Sequence, residues 1–226
     1  MWRAFAVLLA VPLAASFVSI DAQTKKPPQT ATKKPAPAPV LKQVVPTLTC
    51  PSTLGPGIRS KHLFCDVLIG RNPQDGLAIK IPPHRGAARL LFDLHNRHTY
   101  SEQETKAGRA YTQYTATIGV LTMDGGLLTR AVVQSEFRRP SDLVDRVGGG
   151  AGPSGLKAVA PVGSEPIVVE IPQEITEVSL LGEHLAMVRL DGNDTFVTPG
   201  RPIALVSNVR VEIQEPPARQ TTKKKR

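Results

Sequence analysis

Aromatic residues are scarce in this chain. They make up 4% of its 226 residues, and the single tryptophan is Trp2. Trp2 lies in a hydrophobic N-terminal segment, so a site that stacks sugars in the remainder of the chain would have to use Tyr100, Tyr111 or Tyr114. The sequence also lacks a Gly-x-Ser-x-Gly motif, which removes one common signature of a nucleophilic hydrolase.

Long uncharged runs are limited to the N-terminus. Arg3 is followed by 17 residues without a charge, from 4 to 20. A basic start, an apolar stretch and small residues after it predict a secretory signal over residues 1–22, with cleavage after Ser16 or Ala22. The alternative is an uncleaved membrane anchor, because 17 residues is the short limit for a spanning helix. We therefore expect an exported protein, either periplasmic or extracellular.

Both ends of the mature chain are rich in lysine and proline. Residues 23–42 and 215–226 contain hardly any large apolar side chains and cannot bury enough surface to offset the entropy cost of ordering. Proline also biases such segments towards extended conformations. We predict a disordered tether over 23–42, a folded domain over 43–214 and a disordered basic tail over 215–226.

The basic charge of the protein belongs to these ends. The formal net charge is +9, yet residues 43–214 carry 17 basic and 17 acidic side chains. A neutral domain has no basic excess to follow a phosphate backbone, so nucleic acid is not an expected partner. The terminal segments could instead contact anionic surfaces of the cell envelope.

The only cysteines are Cys50 and Cys65. An even number of cysteines in an exported protein predicts a disulfide. A metal site built on this pair would need histidine partners, and His62 is the only one between them. The disulfide would also leave no cysteine for catalysis.

Short alternating apolar runs separated by Gly, Pro and Asp fill the central region. They predict an all-β fold, a two-sheet antiparallel sandwich of the jelly-roll or immunoglobulin type with roughly nine strands. The inward-facing sets are Leu63, Cys65, Val67, Ile69; Leu77, Ile79, Ile81; Ala88, Leu90, Phe92, Leu94; Ile167, Val169, Ile171; and Ile203, Leu205, Val209, Val211, Ile213.

One hairpin and two short helices can be placed in more detail. A two-residue turn at Asp124-Gly125 or Gly125-Gly126 would put two apolar sets on one face, Tyr114, Ala116, Ile118, Val120 and Leu127, Ala131, Val133. Ser101 and Glu104 form a capping-box pattern for a short exposed helix. A second short helix is predicted over residues 141–147.

Two glycine-containing motifs are better explained as loops. The run from Gly150 to Gly155 matches the dinucleotide-binding pattern but has neither a strand before it nor a helix after it. We also expect strand 156–160 to end at Pro161. Asp191-Gly192-Asn193-Asp194 offers oxygen ligands for Ca²⁺, yet Asp-Gly between two strands primarily indicates a turn.

The segment with the densest group of polar and ionisable side chains runs from Asp93 to Tyr100. Asp93 and His95 should share one strand face, with His98 where the strand would end. These three side chains could form a site for a divalent metal. Alternatively, the polar and aromatic residues of this segment and the following loop could form a binding surface, made of Asp93, His95, Arg97, His98, Tyr100, Arg109 and Tyr111.

Three classes of function remain from the sequence. We favour an exported, non-catalytic domain that binds a protein or a cell-envelope polymer, including carbohydrate, without a cofactor. The alternative is a metal-dependent hydrolase or lyase that uses Asp93, His95 and His98. The third is a structural spacer.

Overall fold

A computed structural model describes residues 41–147 and 157–214. The predicted signal, nearly all of the predicted tether, the basic tail and the Gly150 to Gly155 run lie outside these residues. The first strand begins at Lys42, the last residue assigned to the tether.

The described residues contain twelve strands, one α-helix and two short 3-10 helices. The strands are antiparallel and form two packed sheets, so the predicted all-β sandwich is confirmed. The strands are β1 Lys42–Val44, β2 Thr47–Thr49, β3 Thr53–Pro56, β4 Leu63–Leu68, β5 Leu77–Lys80, β6 Arg85–Ser101, β7 Thr112–Thr122, β8 Leu127–Phe137, β9 Lys157–Ile171, β10 Glu177–Arg189, β11 Gly192–Phe196 and β12 Pro202–Gln214.

The order of the strands identifies the sandwich as a jelly roll. Sheet A has the order β3-β4-β12-β6-β9, with β1 also paired to β12. Sheet B has the order β2-β5-β10-β7-β8, with β11 also paired to β10. From β4 onward, every connection crosses between the sheets except the β7–β8 and β10–β11 hairpins. Of the two predicted types, this is the jelly-roll connectivity.

The core lies between the sheets and follows period-two alternation. On β6, Ala88, Leu90, Phe92 and Leu94 are at most 2% exposed, as the sequence pattern predicts. Equivalent positions of β4, β5, β7, β10 and β12 pack against them. Burial of this continuous apolar layer is the main favourable contribution to folding.

The β7–β8 hairpin has the predicted even-to-odd register but a different turn. Ala116 pairs with Val133 and Ile118 with Ala131. The Thr122 N–H donates to the Gly126 carbonyl, which closes a three-residue loop, and a bulge follows it. The bulge restores the register of the strands but turns Leu127 outward, where it is 44% exposed. The prediction that Leu127 faces the core is therefore wrong.

Two other strands also differ from their predicted form. In β12 the register shifts between Ser207 and Arg210, so Val206 and Val209 face the core, whereas Leu205 packs on the outer face of sheet A. Strand β9 does not end at Pro161 but continues to Ile171. It is the edge strand of sheet A next to β6, a position where the missing N–H of a proline is tolerated.

Of the two predicted helices, one is present. Helix α1, Glu102–Lys106, is capped by the Ser101 hydroxyl, which accepts from the Glu104 N–H. The predicted helix over 141–147 is wrong, because only a 3-10 turn at Pro140–Asp142 forms there.

The rest of that segment, residues 143–147, spans the outer face of sheet A and is called the strap here. At one end Leu143 bridges to Val162 of edge strand β9. At the other end Val147 bridges to Gly57, directly after edge strand β3. The strap buries a small second apolar cluster that includes Phe64 and Leu205.

Cys50 and Cys65 form the predicted disulfide, which is consistent with an oxidising compartment. It ties strand β4 to the segment between β2 and β3. Within residues 41–147 and 157–214, no helix has the length and apolar character needed to cross a bilayer.

Candidate functional site

A cleft of about 640 Å³ opens at one end of the sandwich. Its wall is formed by the end of β6, the β6–β7 connection, the start of β9 and the β10–β12 connections. Both sheets contribute, because antiparallel strands from the two layers begin or end here. Concave sites of this size, with a few polar groups in a partly apolar wall, are the usual form of a ligand site.

Tyrosines form the inner wall of the cleft. Tyr100 and Tyr114 line it but are only 7% and 5% exposed. Tyr100 packs against Phe137, with ring centroids 4.6 Å apart, and Tyr114 stacks on His98 at 3.9 Å. Burial raises the pKa of both tyrosines, and Glu102 adds to the effect at Tyr100. Both phenols are therefore neutral and held in place.

Behind this wall, a polar network joins the two sheets. Asn96 of β6 donates from Nδ2 to the backbone carbonyls of Tyr114 and Val133, at 3.0 and 3.1 Å. His98 of β6 contacts Ser135 Oγ through Nε2 at 3.0 Å and Thr112 Oγ1 through Nδ1 at 3.2 Å. Both side chains are fully buried.

His98 is held in its neutral form by its burial. Burial lowers the pKa of His98 to about 3, and hydrogen bonding to the Ser135 backbone only partly opposes this effect. A neutral imidazole can donate through Nδ1 and accept through Nε2, which fits the two hydroxyl partners. His98 therefore supports the cleft wall without contributing a charge.

Two arginines at the rim of the cleft are already paired. Arg109 forms two bonds to Glu104, at 2.8 and 2.9 Å. Arg189 contacts Asp191 at 3.1 Å and Asp194 at 2.8 Å. The Asp-Gly turn after β10 thus supplies a carboxylate to an arginine, in addition to reversing the chain.

Arg201 is arranged differently. Its guanidinium lies over the ring of Phe196, 3.6 Å from the centroid. Its backbone is fixed by bonds from the Arg201 N–H to Thr198 and from the Ile69 N–H to the Arg201 carbonyl. Among the described residues, no carboxylate lies within ion-pair distance of this guanidinium. Lys157 is a second cation of the wall that has no ion pair among the described residues.

The residues predicted as a binding surface lie in three different places. Tyr100, Arg109 and Tyr111 line the cleft. Asp93, His95 and Arg97 lie on the opposite, outer face of sheet A, and His98 is behind the cleft wall. Arg97 there pairs with the buried Asp66 at 2.8 Å.

His95 is buried between two bulges. Its Nδ1–H donates to the Gly163 carbonyl at 2.6 Å, and its Nε2 accepts from Ser207 Oγ at 2.9 Å. Burial lowers the pKa of His95, more strongly than the Gly163 bond and Asp93 raise it. Ser207 and His95 resemble a nucleophile and base in their spacing, but each is only 2% exposed. This pair is part of the packing of the outer face.

The three proposed metal ligands do not converge. Strand β6 continues to Ser101, so alternation places His98 on the inner face while Asp93 and His95 are on the outer face. Asp93 instead accepts a bond from Asn208 at 3.0 Å. In the described part of the chain, no group of three or more His, Cys, Asp or Glu side chains is placed to hold a metal ion. The prediction assumed that the strand ends near His98. Because β6 continues to Ser101, the three side chains are divided between its two faces.

Sequence reasoning missed Lys157, Met187, Arg189, Phe196 and Arg201 as members of the same site. They come from three separate stretches of the chain, and only the jelly-roll connectivity brings them to the β6–β7 connection. The one local signal was the Asp191-Gly192 turn, which marks a chain reversal close to the cleft.

A second depression, of about 600 Å³, lies on the outer face of sheet B. It is lined by exposed Leu127 and by Arg130, which pairs with Glu183 at 2.7 Å. This surface is separate from the cleft and provides control positions for experiments.

Comparison with known proteins gives no family. No protein-family model matches the chain, and no curated protein matches it. Among solved structures, it is similar to the infectious bursal disease virus Gt strain, with 14% identity, a TM-score of 0.27 and coverage of 86% of this chain and 38% of that one. The VP2 subviral particle of the same virus gives 17% identity and a TM-score of 0.25, again covering 86% and 38%. The present chain thus spans less than two-fifths of those proteins, and these low scores carry no information about function.

Proposed function

We propose that this protein is an exported, non-catalytic binding domain whose end cleft binds a segment of a protein or of a cell-envelope polymer. The observation that carries the proposal is the convergence of Tyr100, Tyr111, Phe196 and Arg201 on one cavity. Tyrosine and arginine are among the residues enriched at binding hot spots.

The rigidity behind the cleft supports a binding role. Tyr114 is stacked on His98, and the Asn96 bonds connect β6 to β7 and β8. A wall that is already ordered loses less entropy when a ligand binds. The hydrophobic N-terminus and the disulfide both support export.

The chemistry of the wall favours binding over catalysis. The described lining of the cleft contains neither histidine nor cysteine. Its acidic groups, Glu104 and Asp191, are paired with Arg109 and Arg189.

Site-specific photo-crosslinking tests the proposal. A photoreactive side chain replaces Leu190, a cleft residue that is 74% exposed, in the protein exported by its own cells. The matched control carries it at Val168, which is 50% exposed on β9 and does not line the cleft. We expect discrete adducts from position 190 and none from 168. Equal labelling, or no adduct from 190, would instead support a structural spacer.

A further inference from the structure

Arg201 is the cleft cation that is positioned but not neutralised by the described residues. Arg109 and Arg189 use their guanidinium groups to bind the carboxylates of this chain. Arg201 is held by Phe196 from one face and by its backbone bonds, which leaves the edge of the guanidinium without an acidic partner among the described residues. A guanidinium presents its donors along that edge in a geometry that matches a carboxylate.

We infer that the ligand of the cleft is an acidic peptide segment that places a carboxylate on Arg201. The inference rests on the proposed binding role of the cleft. Lys157 provides a second positive charge without an ion pair among the described residues of the same wall, which favours an acidic ligand over a basic one. Because Arg201 is held before the ligand arrives, little side-chain entropy is lost on binding.

The environment of the aromatic rings favours a peptide over a saccharide. Sugar stacking requires an accessible ring face, but Tyr100 and Tyr114 are buried. One face of Phe196 is covered by Arg201, and one face of Tyr111 is covered by Arg138 at 4.4 Å. Two of the four rings are thus buried, and each of the other two has one face occupied by a guanidinium, which reduces the aromatic surface open to a sugar.

The remaining wall is suited to an apolar side chain next to the carboxylate. Met187 and Leu190 line the cleft, and Leu190 is largely exposed to solvent. Burial of an exposed leucine against an apolar ligand side chain is favourable because it removes apolar surface from water. A segment with an acidic residue beside a leucine has both required features.

Fluorescence anisotropy with three probes tests this inference on the full exported protein. The probes are a pool of short capped peptides with Glu beside Leu, the same pool with Gln in place of Glu, and oligogalacturonate as an acidic saccharide. We expect the Glu pool to bind at least about tenfold more tightly than the other two, a difference that corresponds to one charged contact.

Variants connect the preference to Arg201. Arg201→Gln should remove the difference between the Glu and Gln pools, and Lys157→Gln should reduce it. Arg130→Gln, on the outer face of sheet B, should leave it unchanged. Thermal unfolding of each variant checks that the domain is still folded. If Arg201→Gln does not fold, Lys157→Gln provides the independent test.

Each other outcome overturns the inference in a recognisable way. Equal binding of the Glu and Gln pools excludes the carboxylate contact, and tighter binding of oligogalacturonate replaces the peptide with a saccharide. If no probe binds, the acidic peptide is wrong, yet adducts at position 190 would still support the binding role. Absence of both results would reject the proposed function itself.

Discussion

At the scale of single residues, the inner face of β6 changes from apolar to polar along its length. Leu90, Phe92 and Leu94 are followed on the same face by Asn96 and His98, all of them buried. Buried polar groups usually need hydrogen-bond partners, and hydroxyls and carbonyls of β7 and β8 bond to the Asn96 amide nitrogen and to both ring nitrogens of His98, whereas Asn96 Oδ1 has no partner among the described residues. The polar positions support the cleft without lying in it.

The buried histidines make the stability of the domain depend on pH. The folded-state pKa of His98 is about 3, below its unfolded value of about 6.5, and the pKa of His95 is also lowered. The unfolded chain therefore binds more protons below pH 6.5, and stability falls as the pH is lowered from there. Each such histidine contributes a slope of about 1.4 kcal/mol per pH unit until its folded-state pKa is reached.

We expect His98→Gln to flatten this dependence. Glutamine can still bond to hydroxyl groups but does not ionise, so one histidine's slope disappears even if the variant is less stable at neutral pH. Urea denaturation between about pH 6.5 and pH 5 measures the effect. His62→Gln is the control because His62 is exposed. An unchanged slope in His98→Gln would show that the buried imidazole does not remain neutral.

At the scale of elements, the strap shows how a short irregular segment can complete a fold. The Asp145 carboxylate accepts from the backbone N–H groups of Ser60 at 2.7 Å, Arg146 at 2.7 Å and Arg59 at 3.2 Å. Burial would raise the pKa of Asp145, but these bonds outweigh it and lower the pKa to about 2. One ionised side chain thus holds the strap to the loop after β3.

Asp145→Asn should loosen the strap. The amide has only one acceptor oxygen and turns its own donors towards backbone N–H groups, so we expect a loss of about 1 to 3 kcal/mol of stability. Urea denaturation at neutral pH measures the loss, and hydrogen exchange of Phe64 and Leu205 locates it. Asp191→Asn is the control, since Asp191 is exposed. Full stability of Asp145→Asn would mean that the strap is held by its apolar contacts alone.

The elements also show what local sequence could predict. Period-two alternation located the core residues of β5 and the first half of β6, because regular strands repeat their orientation without interruption. It failed at Leu127 and Leu205, because a bulge reverses the orientation with no distinctive residue to mark it. The apolar residues of 143–147 resemble one face of a helix, but they serve a strap whose partners, Gly57 and Val162, are distant in the sequence.

At the scale of the whole molecule, the cleft is a consequence of connectivity. Tyr100 and Arg109 could be selected from the sequence because they lie in the polar segment that ends at Tyr100 and in the loop that follows it. Arg201 could not, since its place depends on β12 lying beside β6 in sheet A while Phe196 ends β11 in sheet B. The same connectivity explains why Asp93 and His98, close in sequence, belong to opposite faces.

The distribution of charge leads to a prediction about the intact protein. The folded region is nearly neutral, while residues 23–40 and 215–226 contain nine of the 28 basic residues. We expect adsorption of the protein to anionic vesicles to depend on these segments and to weaken with salt, because charge interactions through water are screened beyond about 10 Å at 0.1 M and about 3 Å at 1 M.

Replacing the terminal lysines tests this without changing the length of the chain. A variant with serine at Lys25, Lys26, Lys33 and Lys34 and at residues 223–226 should lose most of its vesicle binding in a sedimentation assay, while its thermal unfolding stays unchanged. Vesicles of neutral lipid are the control for the unaltered protein and should not retain it. Strong, salt-sensitive binding by the serine variant would place the anionic contact on the folded domain, where Arg201 and Lys157 would be the first residues to neutralise. Since the peptide preference is assigned to Arg201, that outcome would also require the Glu-pool measurements to be repeated with the serine variant.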